Sequence, residues 1–187
     1  MICLKTRDKA MTPEFEIAAV TPALRPVLQN LFELYEHDFS EMTGDDVGPD
    51  GRFARADFWD GVWQRPGAHH FLLKVDGRWA GFAWLVTGLS YVTPDADCVW
   101  MDEFFILRKF RRRGWGERLA THLFDRFPGV WEVGEIPANT PAQAFWRRII
   151  GRYTGGDFRE VVLDDERWRG PVQVFHSRPA TGPATGK

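Results

Sequence analysis

The chain has 187 residues, 44% hydrophobic and 27% charged, which suits a single globular domain with a real core. A net charge of −2 and a pI near 6.2 speak against a general nucleic-acid binder, which carries a broad basic face. No apolar run has the length of a membrane span and no secretory signal is visible, so a cytoplasmic protein is expected.

Residues 1–13 mix charges without period and read as a loose start that includes Cys3. Residues 14–20 alternate, with Phe15, Ile17 and Ala19 on one side, and predict a first strand. Thr21-Pro22 and Arg25-Pro26 open a helix, since proline is tolerated in a first turn. Leu24, Val27, Leu28, Leu31, Leu34 and Tyr35 form its apolar stripe, and it ends over residues 37–41. Residues 44–51 are a Gly/Asp/Pro loop, and residues 54–64 a short helix carrying Phe58, Trp59 and Trp63. Strand-like runs at 70–75 and 78–87 flank Asp76-Gly77, a strong hairpin signal.

After a loop at 88–97, residues 98–107 predict a long strand buried on both faces. Cys98 at its entrance reads as a small core residue, and the cysteine spacing offers no disulfide framework and no metal site. A helix at 115–126, a strand at 130–136 and a helix at 141–150 follow, the last capped by Asn139 or Thr140 and closed near Gly151. Residues 158–163 and 172–176 pair as a final antiparallel ladder, and the Pro/Gly/Ala/Thr-rich tail 178–187 is expected to be disordered. With no repeat and no linker, residues 14–177 read as one domain.

The densest chemistry lies between the central strand and its helix, in Arg111-Arg112-Arg113-Gly114-Trp115-Gly116. Glycines let a ligand approach the backbone. Helix-start N–H groups and the helix dipole favour an anion, and arginine adds forked donors. A phosphate, above all a diphosphate, is the ligand these features imply. The turn lacks the third glycine of a dinucleotide fingerprint and the Gly-Lys-Ser/Thr ending of a P-loop. The plain alternatives are a solvated basic turn or a local nucleic-acid patch.

Set in the order β-α-α-β-β-β-α-β-α-β-β, this turn resembles that of the GNAT superfamily of N-acetyltransferases. The family pattern Arg/Gln-x-x-Gly-x-Gly/Ala matches Arg111-x-x-Gly114-x-Gly116, and Asn139-Thr140-Pro141-Ala142-Gln143-Ala144-Phe145-Trp146 matches a second landmark. The resemblance covers residues 14–177. It implies an α/β fold: a mixed, mostly antiparallel central sheet with a splayed strand pair, flanked by about four helices.

The resemblance also implies acetyl-CoA as cofactor. Its diphosphate would rest on the turn from Arg112 to Glu117, with Arg111, Arg113, Gly114, Trp115 and Gly116. The pantetheine arm would pair with the central strand around Phe105, Ile106 and Leu107, and Asn139 and Trp146 would face the arm. Asn139 is read equally well as a plain helix cap. Asp38 and Glu41 would stand where the family binds its acceptor, a small-molecule amine or a peptide amine. No nucleic-acid or membrane partner is implied, and a homodimer is left open.

Transfer needs a neutral amine, correct placement, a donor to the thioester oxygen and a proton for the leaving thiolate. A backbone N–H near Phe105 or Ile106 is the expected donor. Glu103 is the first choice of base, because a carboxylate inside an apolar strand is costly without a purpose; alternation sets it on the face opposite Asp102. His37, His69 and His70 are further proton carriers to consider. Trp146 occupies the position where many family members have an acidic tyrosine, and an indole N–H cannot supply that proton. Tyr153 is the nearby alternative. The competing reading is a non-catalytic acyl-CoA binder or sensor.

Overall fold

The computed structural model describes residues 13–93 and 97–177, so the loose start, the middle of the 88–97 loop and the tail lie outside it. Seven strands form one sheet in the order β1-β2-β3-β4-β5-β7-β6. They are β1 (Phe15–Ala19), β2 (Ala68–Val75), β3 (Arg78–Thr87), β4 (Cys98–Ile106), β5 (Gly129–Gly134), β6 (Phe158–Asp164) and β7 (Arg169–Ser177). Among the described residues four α-helices cover it: α1 (Arg25–Thr43), α2 (Ala56–Gln64), α3 (Trp115–Arg126) and α4 (Thr140–Thr154). The order of elements is the one the sequence predicts, and the β2–β3 turn has Asp76 and Gly77 both at positive φ, as a tight hairpin requires.

Two helix ends differ from expectation, for one reason. α1 does not stop over residues 37–41 but runs to Gly44, whose left-handed conformation (φ 79) ends it with its N–H on the Ser40 carbonyl. α4 passes through Gly151 and stops at Gly155 (φ 67). In each case the chain stays helical until a glycine followed by a non-helical sequence lets it turn. Asp38 and Glu41 therefore ride on the last turns of α1.

Helices α3 and α4 pack Leu119, Leu123, Phe124, Trp146, Ile149 and Ile150 on one face of the sheet. Helices α1 and α2 pack Leu28, Phe32, Tyr35 and Trp59 over Leu72, Phe82, Trp84 and Phe105 on the other. β4 is thus covered on both sides. The far part of the second face, around Trp100, Val172 and Val174, has no helix and is closed by the loop carrying Leu89, Tyr91 and Val92.

That loop is held by a buried carboxylate. Glu132 of β5 is fully shielded from solvent. It accepts from the N–H groups of Tyr91 at 2.7 Å and Val92 at 3.2 Å and from the Ser90 hydroxyl at 2.7 Å. Such a charge is tolerated because donors replace its water.

Two irregularities of β4 matter most. Its parallel pairing with β5 covers only Cys98↔Val130 through Met101↔Val133, after which β5 stays with β7 and leaves β4. A bulge against β3 takes the register from Leu85↔Met101 to Trp84↔Glu103, so Asp102 is an inserted residue. Replacing Glu132 with alanine should lower unfolding stability by about 2 kcal/mol, because the loop's N–H groups lose their acceptor. Urea denaturation would read this, and a loss below about 0.5 kcal/mol would show that water serves the loop equally well.

Candidate active site

Where β5 leaves β4, a cleft of about 750 Å³ opens between β4, the start of α3, α4 and the end of α1. Leu107 donates its N–H to the Ala80 carbonyl at 2.9 Å. In an antiparallel pair, residues facing the partner alternate with residues facing away. Phe105 therefore turns its backbone groups to β3, whereas Phe104 and Ile106 turn theirs into the gap. Arg111 fits this, since its Nε donates to the Ile106 carbonyl at 2.6 Å. Of the backbone donors expected near Phe105 or Ile106, Ile106 and its neighbour Phe104 face the gap and Phe105 does not; a single-residue phase cannot be read without the register.

At one end of the gap lies the glycine turn. Arg112 (φ 60) and Gly114 (φ 80) are left-handed, and the first bond of α3 runs from Arg118 N–H to the Gly114 carbonyl at 3.0 Å. The N–H groups of Trp115, Gly116 and Glu117 thus precede any helical acceptor. A Cβ on Gly116 would stand 3.2 Å from the Phe145 ring, so its lack of a side chain lets α4 approach the turn.

Arg108, Arg111, Arg112, Arg148 and Arg152 border the cleft. Asp38 is held by Arg108 at 2.7 Å and Arg111 at 2.6 Å. Burial alone would raise its carboxyl pKa, but the two guanidinium groups outweigh burial and hold it below the ordinary value. Arg152 pairs with Glu117 at 3.2 Å, and among the described residues no carboxylate pairs with Arg112 or Arg148.

Of the residues assigned to cofactor binding from the sequence, Phe105, Ile106, Arg111, Arg112, Gly114, Gly116, Glu117, Asn139 and Trp146 border this cleft, as do Asp38 and Glu41. Leu107, Arg113 and Trp115 do not. Leu107 packs toward the core, Arg113 is exposed, and Trp115 is buried in a stack on Phe15. Asn139 is the cap of α4, its side-chain oxygen accepting from Ala142 N–H at 3.2 Å. Trp146 is 4% exposed and meets Phe104 edge-on at 4.8 Å between ring centroids. Tyr153 is not brought to the cleft: its ring lies on the face of α4 turned to Phe124 and Phe175, and its hydroxyl donates to Asp125 in the last turn of α3 at 2.7 Å.

Glu103 lies on the opposite side of β4, and so does Asp102. Alternation had separated them; the bulge returns both to the α1/α2 face, where they border a cavity of about 210 Å³. Burial dominates Glu103 and raises its pKa to about 8, opposed by a hydrogen bond from the Tyr35 hydroxyl. Tyr35, which sequence reasoning left in an apolar stripe, borders the large cleft, and its hydroxyl bonds Glu103 of the smaller cavity. Its signal was a single phenol in a run of aliphatic residues on α1. Asp102 is paired with Arg65 at 2.6 Å. His70 borders the smaller cavity with its pKa lowered to about 4, by burial first and then by neighbouring cations, and is neutral at pH 7. His37 is exposed, and His69 packs on Phe127.

A gap along one strand, free amides at a helix start and an arginine border are the features of a site for an extended ligand bearing a diphosphate. Comparison with known proteins agrees. The sequence profile of the Acetyltransferase (GNAT) family matches residues 28–151, and the chain belongs to that family. No curated protein sequence matches the chain. An acetyltransferase from Thermus thermophilus shares the fold at 21% identity and a TM-score of 0.60, over 87% of this chain and 96% of that one. The ribosomal-protein-S18-alanine N-acetyltransferase from Escherichia coli does so at 16% and 0.55, over 93% and 100%. YncA from Salmonella typhimurium, solved with its cofactor acetyl-CoA, does so at 15% and 0.58, over 92% and 99%. Acetyl-CoA is the cofactor of the family, and the donors around this cleft fit it.

Gly116→Val should push the Phe145 ring and narrow the approach to the amides of α3. CoA affinity, measured by calorimetry on a variant shown to be folded, is expected to fall at least about tenfold. Undiminished affinity would mean that the turn is not the cradle.

Proposed function

We propose that the protein is an acetyl-CoA-dependent N-acetyltransferase that acts on a primary amine by direct attack in a ternary complex. The observation that carries this reading is the sharing of one strand segment by two cavities. Phe104 and Ile106 of β4 face the cofactor-shaped gap, and Glu103, next to Phe104 in the chain, reaches the cavity on the other face.

Acetyl-CoA supplies an acyl group on a thioester, which a neutral amine can take. The amides of Gly116 and Glu117, with Arg112 and Arg148, would hold its diphosphate. The N–H groups of Phe104 and Ile106 would pair with its arm as an added strand does and stand ready to donate to the acyl oxygen. Trp146, wedged against Phe104, walls the site and excludes water.

Glu103 serves as the base. An amine of the lysine type has a pKa near about 10.4 and must lose a proton to attack. A carboxylate whose pKa is raised to about 8 accepts that proton far better than an ordinary one, and it becomes half ionised at that pH. Tyr35 borders the cleft and hydrogen-bonds Glu103. It can pass its hydroxyl proton toward the leaving sulfur while taking the one Glu103 has gained, so no charge accumulates on the phenol. This supplies the proton that neither Trp146 nor Tyr153 is positioned to give. A non-catalytic acyl-CoA binder is the second reading, favoured by Trp146 alone.

The test is CoA release from acetyl-CoA across a broad panel of primary amines at several pH values. With a substrate found, kcat/KM should rise with pH and level off above about 8, as Glu103 loses its proton. Glu103→Gln should lose that limb along with at least about a hundredfold of rate. Tyr35→Phe removes the hydrogen bond that lowers the Glu103 pKa, so its limb should move to higher pH. A Glu103→Gln profile superimposable on wild type would clear Glu103 of this role, and acetyl-CoA binding with no turnover on any amine would favour the second reading.

A further inference from the structure

The cavity that reaches Glu103 measures about 210 Å³, and its walls differ in kind. Phe58 and Val62 of α2 and the Trp84 ring of β3 give it an apolar body. Two carboxylates border it, Asp102 and Glu103. Asp102 is answered by Arg65 at 2.6 Å, whereas the hydrogen-bond partner of Glu103 is the neutral Tyr35 hydroxyl. Glu103 is therefore the carboxylate open to a cation. Arg65 and Trp84 donate, and His70, neutral at pH 7, adds one donor and one acceptor nitrogen. Arg65 has more N–H groups than Asp102 uses, and the Trp84 indole N–H is buried with no acceptor among the described residues. A buried donor without a partner is costly and calls for one. Phe58, an apolar ring 40% exposed, stands at this cavity with no core above it.

We infer that this cavity is the acceptor site, and that the acceptor is a small primary monoamine with a short apolar body and one hydrogen-bond-accepting oxygen. The inference rests on the acetyl-transfer reading above and gives it a substrate class. The ammonium group meets Glu103, the body lies against Trp84 and Phe58, and the oxygen accepts from Trp84 Nε1 and Arg65. Sites for drug-sized ligands run from about 300 to 1,000 Å³, so a multi-ring amine is not enclosed here. A second ammonium in place of the oxygen would face the Arg65 guanidinium, a like charge, and would leave Trp84 without an acceptor. Asp38 and Glu41, where the sequence had pointed, border the other cleft, and Asp38 is occupied by two arginines.

Calorimetry on the full-length protein saturated with CoA, which permits binding without turnover, tests this with three probes: 4-amino-1-butanol, n-butylamine and 1,4-diaminobutane. The amino alcohol should bind about tenfold more tightly than either of the others. In Trp84→Phe its advantage over n-butylamine should shrink to about twofold, n-butylamine binding serving as the control that the pocket is formed. In Arg65→Met, which removes the repelling charge, the diamine should gain about fivefold. Equal affinities for the three probes, tightest binding of the diamine, or preferences untouched in both variants would each overturn the inference. If these affinities appear as stated but no CoA is released from acetyl-CoA, acetyl transfer fails and the recognition of the amine stands.

Discussion

The parting of β5 from β4 after Met101 is the constraint on which the site depends. A strand in the middle of a sheet has both rows of backbone groups satisfied by neighbours, and unpaired buried groups are costly. Here β4 keeps β3 along one row and loses its partner along the other just where the two helix layers leave a cleft. The exposed row is a template for an extended ligand that brings its own donors and acceptors. Arg111 caps one of these groups, the Ile106 carbonyl, and is itself held by Asp38.

The bulge at Asp102 is the second device. Without it, Asp102 and Glu103 would point to opposite faces, and one carboxylate would enter the apolar layer under α3 and α4. With it, both turn to the face of α1 and α2, where Arg65 and Tyr35 satisfy them. The same insertion thus removes a charge from one core and concentrates charge in the other cavity. Tyr35 then links Glu103 to the cleft, its ring packed on Phe39, Phe82 and Phe105 and its hydroxyl on Glu103. The rest of the scaffold keeps this segment fixed. Glu132 holds the loop over the second face, and the close packing of Gly116 against Phe145 sets the distance from α3 to α4.

Much of this was legible from residues. Periodicity marked every strand and helix in order, because each element has one apolar face or is buried on both. The glycine turn was legible because only a few chemistries require backbone N–H groups, glycines and arginines at a helix start. Three matters were not. Helix ends depend on which of several glycines adopts a left-handed turn, and Gly44 and Gly155 did so where Gly151 did not. A bulge leaves no mark on alternation, so the relation of Asp102 to Glu103 could not be read from spacing. Roles set by contacts between distant segments were also hidden. Tyr35 and Glu103 are 68 residues apart, and Tyr153 was assigned by nearness in sequence although its hydroxyl lies on Asp125.

The central claim is that the free edge of β4 receives acetyl-CoA as an added strand. Hydrogen–deuterium exchange resolved to single amides, with and without saturating acetyl-CoA, tests it most directly. The amides of Phe104 and Ile106, which face the gap, should slow on binding by about tenfold or more, whereas that of Phe105, already turned to β3, should change little. Equal protection of all three, or none at Phe104 and Ile106 while acetyl-CoA is bound, would contradict the account.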